Sequence, residues 1–214
     1  MPPTKLLIAT HNPGKVREYR ALLADLPLEV TYLDAEGITL EVDETGATFA
    51  ENAILKARAY AATSGLLTWA DDSGLEVDAL HGAPGVYSAR YGAPAARSDA
   101  DRVRYLLDKL AGVKEADRTA RFRCVVALAT PAGEVRTVYG ACEGRIATAP
   151  RGENGFGYDP VFLVAEYDYT VTLAELEPAV KNQISHRARA SQKAKLLLEK
   201  FNFFGEVELL EGTT

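Results

Sequence analysis

Apolar and polar residues alternate along the chain in a pattern that predicts strands and helices in mixed order. Short apolar runs bounded by turn residues predict strands, and apolar residues three and four apart predict helices. We expect strands at residues 5–10, 28–33, 66–70, 75–80, 120–130, 134–147 and 161–164. We expect helices at residues 15–24, from Thr48 to Gly65, from Ser98 through Leu110 and at about 187–201. The order predicts an α/β fold, and the long hairpin around "PAGE" makes its sheet mixed.

Two of the helix starts carry explicit capping signals. In "TFAE", Thr48 is followed three residues later by Glu51, which is the capping-box pattern. Ser98 and Asp101 have the same spacing ahead of the third helix. These two helix starts are therefore predicted independently of any apolar periodicity.

Composition limits the classes of protein to which the chain can belong. Its 214 residues, 47% of them hydrophobic and 25% charged, fit a single domain over residues 1–214. We expect two closely joined lobes and no separable linker. The net charge of −6 argues against a nucleic-acid binder. The sequence has neither a long apolar run nor a signal-peptide pattern, so we expect no membrane partner and a cytoplasmic location. Two cysteines make no disulfide framework.

The loop "THNPGK" at residues 10–15 links the first strand to the first helix. A helix N-terminus offers free backbone N–H groups and the positive end of the helix dipole, so it attracts anions. Pro13 and Gly14 shape the turn, and Lys15 adds a positive charge. The loop is not a Walker motif, because the required glycine-to-lysine spacing is absent. An ordinary strand-to-helix turn with a solvated lysine is the alternative.

The adjacent carboxylates of "ADDSG" are the most unusual feature of the sequence. Asp71 and Asp72 follow an apolar run that reads as a buried strand, and Glu44 lies in the acidic stretch before the second helix. Magnesium prefers oxygen ligands and is commonly held by one or two carboxylates together with substrate phosphates. A metal would offset the repulsion between the two aspartates. The alternative is that Asp71 caps a turn while Asp72 is solvated.

A third cluster is suited to a planar ligand. Phe156 in "FGYD" could stack on a base, and the glycine on each side of it would allow close approach. Lys181, His186 and Arg187 in "KNQISHR" all donate hydrogen bonds. Asn52 and Lys56 share one helix face, but a lysine on a helix is more often a surface residue than a ligand.

In combination these motifs resemble the inosine triphosphate pyrophosphatase family, the non-canonical purine nucleoside triphosphate pyrophosphatases. The resemblance runs through "IATHNPGK", "ETGATFAENAILKA", "ADDSGLEVDAL", "GAPGVYSARY", "GFGYDPVF" and "ISHR", and so covers nearly the whole chain. It implies an elongated, homodimeric α/β protein with an active-site cleft between two lobes. It also implies Mg²⁺-dependent hydrolysis of ITP, dITP and XTP to the monophosphate and pyrophosphate, which removes deaminated purines from the nucleotide pool.

The resemblance also implies roles for individual residues. Glu44 and Asp72 would serve the metal, and Asp72 would in addition accept the proton as the catalytic residue, with Ser73 beside it. The triphosphate would be held by Thr10, His11, Asn12, Pro13, Gly14 and Lys15. The nucleoside and base would be held by Phe156, Gly157, Tyr158, Asp159, Lys181, His186 and Arg187. Whether Asp71 or Asp72 contacts the metal directly is left open by the spacing.

Three other functions are compatible with parts of the sequence. A non-catalytic nucleotide sensor would keep the loop and pocket but would not need Glu44 together with Asp72. A pyrophosphatase for modified pyrimidine nucleotides is disfavoured by the "SHR" motif. An RNA-binding module is disfavoured by the acidity and by the lack of an aromatic and basic stripe.

Overall fold

The computed structural model of the protein describes residues 5–200, with only the backbone of Lys200. Its strands are β1 Lys5–Ile8, β2 Glu29–Tyr32, β3 Leu67–Val77, β4 Thr119–Ala129, β5 Val135–Ile146 and β6 Phe162–Val164. Its helices are α1 Pro13–Leu22, α2 Phe49–Ser64, α3 Asp99–Lys109, α4 Pro178–Ile184 and α5 His186–Lys200. The predicted α/β class is confirmed. No helix in this described range is long and apolar enough to cross a membrane.

All six strands form one mixed sheet in the order β2-β1-β3-β4-β5-β6. β1 lies parallel to β2 and β3, and the β3-β4-β5-β6 portion is antiparallel, as the hairpin predicted. β1 is short: its pairing with β3 ends where Ile8 meets Trp69. From residue 71 onward, the edge of β3 that faces β1 is therefore not paired with β1.

The two strands expected around the aspartate pair are in fact one. β3 runs without interruption from Leu67 to Val77 and pairs with β4 along that length, with Asp71 opposite Val126 and Asp72 opposite Val125. The prediction that the pair ends a strand was wrong. The polar pair and Gly74 interrupt the apolar pattern, but the ladder hydrogen bonds come from the backbone, which does not depend on side-chain polarity.

Helices cover both faces of the sheet. α1 and α5 pack on the face that carries Trp69 and Cys124, whereas α2 packs on the opposite face, against Ala70 and Ala127. A third cluster joins α3 and β6 to the far ends of β3, β4 and β5, and contains Leu106 and Phe162. The first two clusters lie on opposite faces of the sheet, and the third lies towards its β6 end. The division into two lobes stays a prediction.

Local signals placed most helix starts correctly. Both predicted capping boxes are present, with Thr48 opening α2 and Ser98 opening α3. α1 starts two residues earlier than expected, because Asn12 is its N-cap and Pro13 its first residue. The short helix α4 was not predicted. The part of the last predicted helix beyond residue 200 lies outside the described residues.

The close contact between β5 and α5 fixes the position of α5, the helix that carries His186 and Arg187. A Cβ built at Gly140 would lie 2.3 Å from the carbonyl oxygen of His186 and 2.5 Å from the amide nitrogen of Ala190. Backbone atoms cannot turn aside as a side chain can, so only glycine lets the strand approach the first turn of α5 so closely.

We therefore expect Gly140→Ala to lower the free energy of unfolding by about 1–3 kcal/mol, the usual range for overpacking. Urea unfolding followed by circular dichroism measures this. Thr137→Ala, an exposed position on the same strand, is the control and should change stability by less than about 0.5 kcal/mol. An unchanged midpoint for Gly140→Ala would mean that α5 is free to shift away from β5.

Candidate active site

A cleft opens beside β3, beyond the point at which β1 ends. Its volume is about 400 Å³, within the range of small-molecule sites. Among the predicted residues it is lined by Thr10, His11, Asn12, Lys15, Glu44, Asp72, Ser73, Phe156, Gly157, Tyr158, Asp159, Lys181, His186 and Arg187. Pro13 and Gly14 do not line it. The loop after β1, the middle of β3 and the glycine-rich loop before β6 are thus brought to one cavity.

The loop after β1 differs in one respect from the prediction. The N–H groups of Gly14 and Lys15, expected to be free for an anion, both donate to Asn12 Oδ1, at 2.8 and 3.1 Å. They do so because Asn12 caps α1. Gly14 has another role: a Cβ there would lie 2.7 Å from Cδ1 of Phe156, so glycine lets the aromatic ring lie against the loop.

The adjacent aspartates avoid each other because neighbouring residues of a strand point to opposite faces. Asp71 is on the α1 and α5 face, where its Oδ2 lies 2.9 Å from Nζ of Lys15 and 3.5 Å from Nη2 of Arg187. Burial raises the pKa of Asp71, but the charges of Lys15 and Arg187 outweigh burial and hold the pKa well below its usual range. Asp71 is a buried counter-ion and does not line the cleft.

Asp72 is on the α2 face and does line the cleft. Its Oδ2 accepts a hydrogen bond from Nδ2 of Asn52 at 3.1 Å, and its Oδ1 lies 3.4 Å from Nζ of Lys56. The same ammonium group is bonded to Glu44 Oε1. Burial raises the pKa of Asp72 despite the nearby Lys56. The sequence suggested that Lys56 is a surface residue, but it is buried. Its ammonium group contacts both Glu44 and Asp72, the two carboxylates that were expected to bind the metal.

The residues around the glycine-rich loop form a second ionic network. Nζ of Lys181 lies 2.7 Å from Glu18 and 2.5 Å from Asp159, and Nη1 of Arg187 lies 2.5 Å from the other oxygen of Glu18. Burial raises the pKa of Glu18, but the charges of Arg187 and Lys181 lower it below its usual value. Nζ of Lys181 lies 5.1 Å from the centroid of the Phe156 ring. Glu18 therefore fixes the two cations beside this ring.

His186 enters the cleft as a neutral group. Burial, with the charges of Arg187 and Lys181, lowers its pKa well below the usual value. Its ring stacks on Phe122, with centroids 4.7 Å apart and planes 12° apart. Its Nδ1 is buried and has no hydrogen-bond partner among the described residues. Buried polar atoms are nearly always paired, so this unpaired nitrogen departs from the usual pattern.

Sequence reasoning missed several residues at this site. Glu18 lies three residues after Lys15 on α1, and this helical spacing could have placed it beside that lysine. Asp99 and Arg102 of α3 also line the cleft, but no local pattern in the sequence links them to it.

Comparison with known proteins assigns the family. The sequence profile of the Ham1 family matches residues 6–196. The chain is 50% identical to a protein of Bacillus licheniformis named "dITP/XTP pyrophosphatase" over 196 residues, 92% of this chain and 98% of that one. A protein of the same name from Bacillus subtilis is 50% identical over 193 residues, 90% of this chain and 96% of that one. The chain belongs to the Ham1 family.

Solved Ham1 structures have the same fold. The Coxiella burnetii HAM1 protein superposes with a TM-score of 0.82 and 41% identity, over 92% of this chain and 99% of that one. The Staphylococcus aureus Ham1 protein gives 0.80 and 40%, over 92% and 100%. The resemblance drawn from the sequence motifs is confirmed.

The opposite surroundings of Asp71 and Asp72 predict opposite effects on the stability of this Ham1 protein. Asp71→Asn leaves the buried charges of Lys15 and Arg187 undercompensated and should lower the free energy of unfolding by about 3 kcal/mol at pH 7. Asp72→Asn removes a carboxylate whose ionised form burial disfavours, while Glu44 still pairs with Lys56. We expect it to leave stability unchanged or to raise it by up to about 1 kcal/mol.

Urea unfolding of both variants at pH 7 with EDTA measures this difference. The pH dependence of the free energy of unfolding should have opposite signs for the two carboxyl groups. The stability that the lowered pKa of Asp71 contributes is present above the pKa of the unfolded chain and is lost as the pH falls through the folded value. The raised pKa of Asp72 acts in the opposite sense, since protonation then favours the folded state. Equal losses in the two variants would contradict the assignment.

Proposed function

We propose that the protein is a nucleoside triphosphate pyrophosphatase that hydrolyses dITP, XTP and ITP to the monophosphate and pyrophosphate. The observation that carries the proposal is a single cleft of about 400 Å³ lined by the loop after β1, the pair Glu44 and Asp72, and the pocket around Phe156. These features suit a triphosphate, a metal and a purine. The names of the Bacillus relatives supply the substrate class.

The triphosphate end is assigned to the loop after β1 and to α2. Thr10, Asn12 and Lys15 line the cleft at the positive end of α1, and Lys56 reaches it from α2. We propose that the two lysines hold the β- and γ-phosphates as the leaving pyrophosphate. Water would then attack the α-phosphorus in line with that group, with Asp72 accepting its proton.

The ionic balance of the cleft supports the use of a divalent cation. The cations of the two networks are Lys15, Lys56, Arg90, Lys181 and Arg187, and their carboxylate partners are Glu18, Glu44, Asp71, Asp72 and Asp159. When all are ionised, the carboxylates and the cations are equal in number. A polyanionic substrate would therefore meet no excess of positive charge, and an added cation would offset the repulsion.

Glu44 and Asp72 fit a magnesium ion chemically, since both are carboxylates gathered around one positive charge on Lys56. No group of three or more histidine, cysteine, aspartate or glutamate side chains suited to a metal occurs among the described residues. The remaining ligands would thus be substrate phosphates and water, as is common for magnesium. When bound, Mg²⁺ would neutralise phosphate charge in the transition state.

The base end is assigned to Phe156, Lys181, His186 and Arg187. Phe156 offers a stacking surface, and the cations held by Glu18 and Asp71 offer fixed donors. Hypoxanthine and xanthine carry an acceptor oxygen at C6, whereas adenine carries an amino group there. Donors left unpaired against that amino group would disfavour adenine.

Further features come from the sequence and the resemblance alone. We propose that the protein forms a single domain over residues 1–214, acts as a homodimer and works in the cytoplasm on free nucleotides. Sedimentation velocity of the full chain measures the oligomeric state.

Substrate assays test the proposed function. With magnesium present, we expect kcat/KM for dITP and XTP to exceed that for dATP by about 10²-fold or more, because the fixed donors match an oxygen at C6 and not an amino group. The product should be pyrophosphate and not orthophosphate. dGTP shares the C6 oxygen with dITP and XTP, so its turnover shows separately whether the protein discriminates at the 2-position of the purine. Tight binding of dITP without turnover would favour a sensor, and preferential turnover of a modified dUTP would favour a pyrimidine enzyme.

Removal of the metal carboxylates gives a second test. We expect Glu44→Gln and Asp72→Asn each to lower kcat by about 10²- to 10⁴-fold while the circular dichroism spectrum stays unchanged, since the lost charges are those that a metal balances. The matched control is Glu41→Gln, which changes another acidic residue that lines the cleft. Its kcat should stay within about threefold of that of the wild type. Near-normal turnover of Asp72→Asn would show that another group accepts the proton.

A further inference from the structure

The backbone on both sides of Phe156 is held by two different carboxylates. Its own N–H donates to Asp159 Oδ2 at 2.9 Å, and the N–H of the next residue, Gly157, donates to Asp99 Oδ2 at 2.8 Å. The flanking residues Gly155 and Gly157 both have left-handed backbone angles, with φ of +77° and +64°. Because peptide groups are planar, fixing the one before and the one after Phe156 fixes both backbone dihedrals of that residue.

The two anchors belong to different parts of the molecule. Asp159 is buried and tied to Lys181, as described above. Asp99 is the first residue of α3, and its second oxygen is bonded to Arg102 one turn along the helix. The ring of Phe156 thus depends on contacts from two elements that are distant in sequence.

Asp99 is not needed to cap its own helix. The capping box of α3 is complete without it, because Asp101 N donates to Ser98 Oγ at 3.1 Å and Ser98 N donates to Asp101 Oδ2 at 3.1 Å. The hydrogen bond from Gly157 spans 58 positions of sequence. A charged acceptor of a backbone N–H makes one of the stronger hydrogen bonds in proteins.

We propose that Asp99 is a positioning residue for the base pocket: by holding the Gly157 amide, it sets the orientation of Phe156 and hence the surface on which the purine stacks. The assignment rests on the proposed function for its substrate, but the hydrogen bond itself does not. The ring of Phe156 also lies against Gly14, where an added Cβ would lie 2.7 Å from Cδ1 of the ring.

Asp99→Ala and Asp99→Asn separate positioning from charge. Asparagine keeps an acceptor for the Gly157 N–H, whereas alanine does not. We expect Asp99→Ala to raise KM for dITP about tenfold with kcat within about twofold, and Asp99→Asn to keep both within about twofold of wild type. Asp108→Ala, an exposed carboxylate on the same helix, is the control and should match wild type.

Amide exchange of Gly157 tests the hydrogen bond without reference to activity. Labelling with carbonyl-¹³C phenylalanine and ¹⁵N glycine selects Phe-Gly pairs, which occur only at residues 156–157 and 204–205, and Gly205→Ala assigns the second signal. We expect exchange of the Gly157 amide to be at least about tenfold faster in Asp99→Ala than in wild type, with Asp99→Asn close to wild type.

The possible outcomes are distinct. The proposal would be overturned if Asp99→Ala had the exchange rate and KM of the wild type. It would also be overturned if the alanine and asparagine variants were equally impaired, because the charge of Asp99 and not its hydrogen bond would then be responsible. Faster exchange with unchanged KM would also overturn it, since the ring would not depend on the anchor. If the wild type hydrolyses no dITP, the proposed function fails, while the exchange rates still decide whether Asp99 holds the loop.

Discussion

The alternation of side chains along β3 is the constraint on which the site depends. Asp71 and Asp72 are adjacent in sequence, yet the period of two places them on opposite faces of the sheet. One becomes a buried counter-ion for Lys15 and Arg187, and the other faces the cleft beside Lys56. A helix would have placed both on neighbouring parts of one surface, where their charges would compete for the same partners. The strand therefore allows one dipeptide to serve two separate ionic networks.

The early end of β1 turns this strand into one wall of a cleft. Because β1 pairs with β3 only as far as Trp69, the next residues of β3 have an open edge to which the loops can reach. The helices then bring cations from both faces: Lys15 from α1, Lys56 from α2, and Arg187 from α5. None of these cations is free in the described structure, since each is paired with a buried or half-buried carboxylate. Such pairing holds each donor in place before a substrate arrives, which reduces the entropy lost on binding.

Positioning extends beyond the residues that face the cleft. Glu18 orients Lys181 and Arg187 by using one oxygen for each, and Gly140 lets α5 lie close enough to present His186. The ring of Phe156 lies between Gly14 and the loop that Asp99 and Asp159 hold. These are contacts between elements distant in sequence, and they restrict the same few groups. The site is thus supported by the whole sheet and its helices.

The sequence by itself determined the fold class, the capping boxes at Thr48 and Ser98, the hairpin and most of the cleft residues, because these depend on local periodicity, turn chemistry and motif spacing. Tertiary structure decided the rest. It made the aspartate pair part of one continuous strand, because backbone pairing with β4 is indifferent to side-chain polarity. It buried Lys56 between two carboxylates and satisfied the Gly14 and Lys15 amides through Asn12. It also brought Asp99 of α3 to Gly157, and a contact across 58 positions leaves no local trace in the chain.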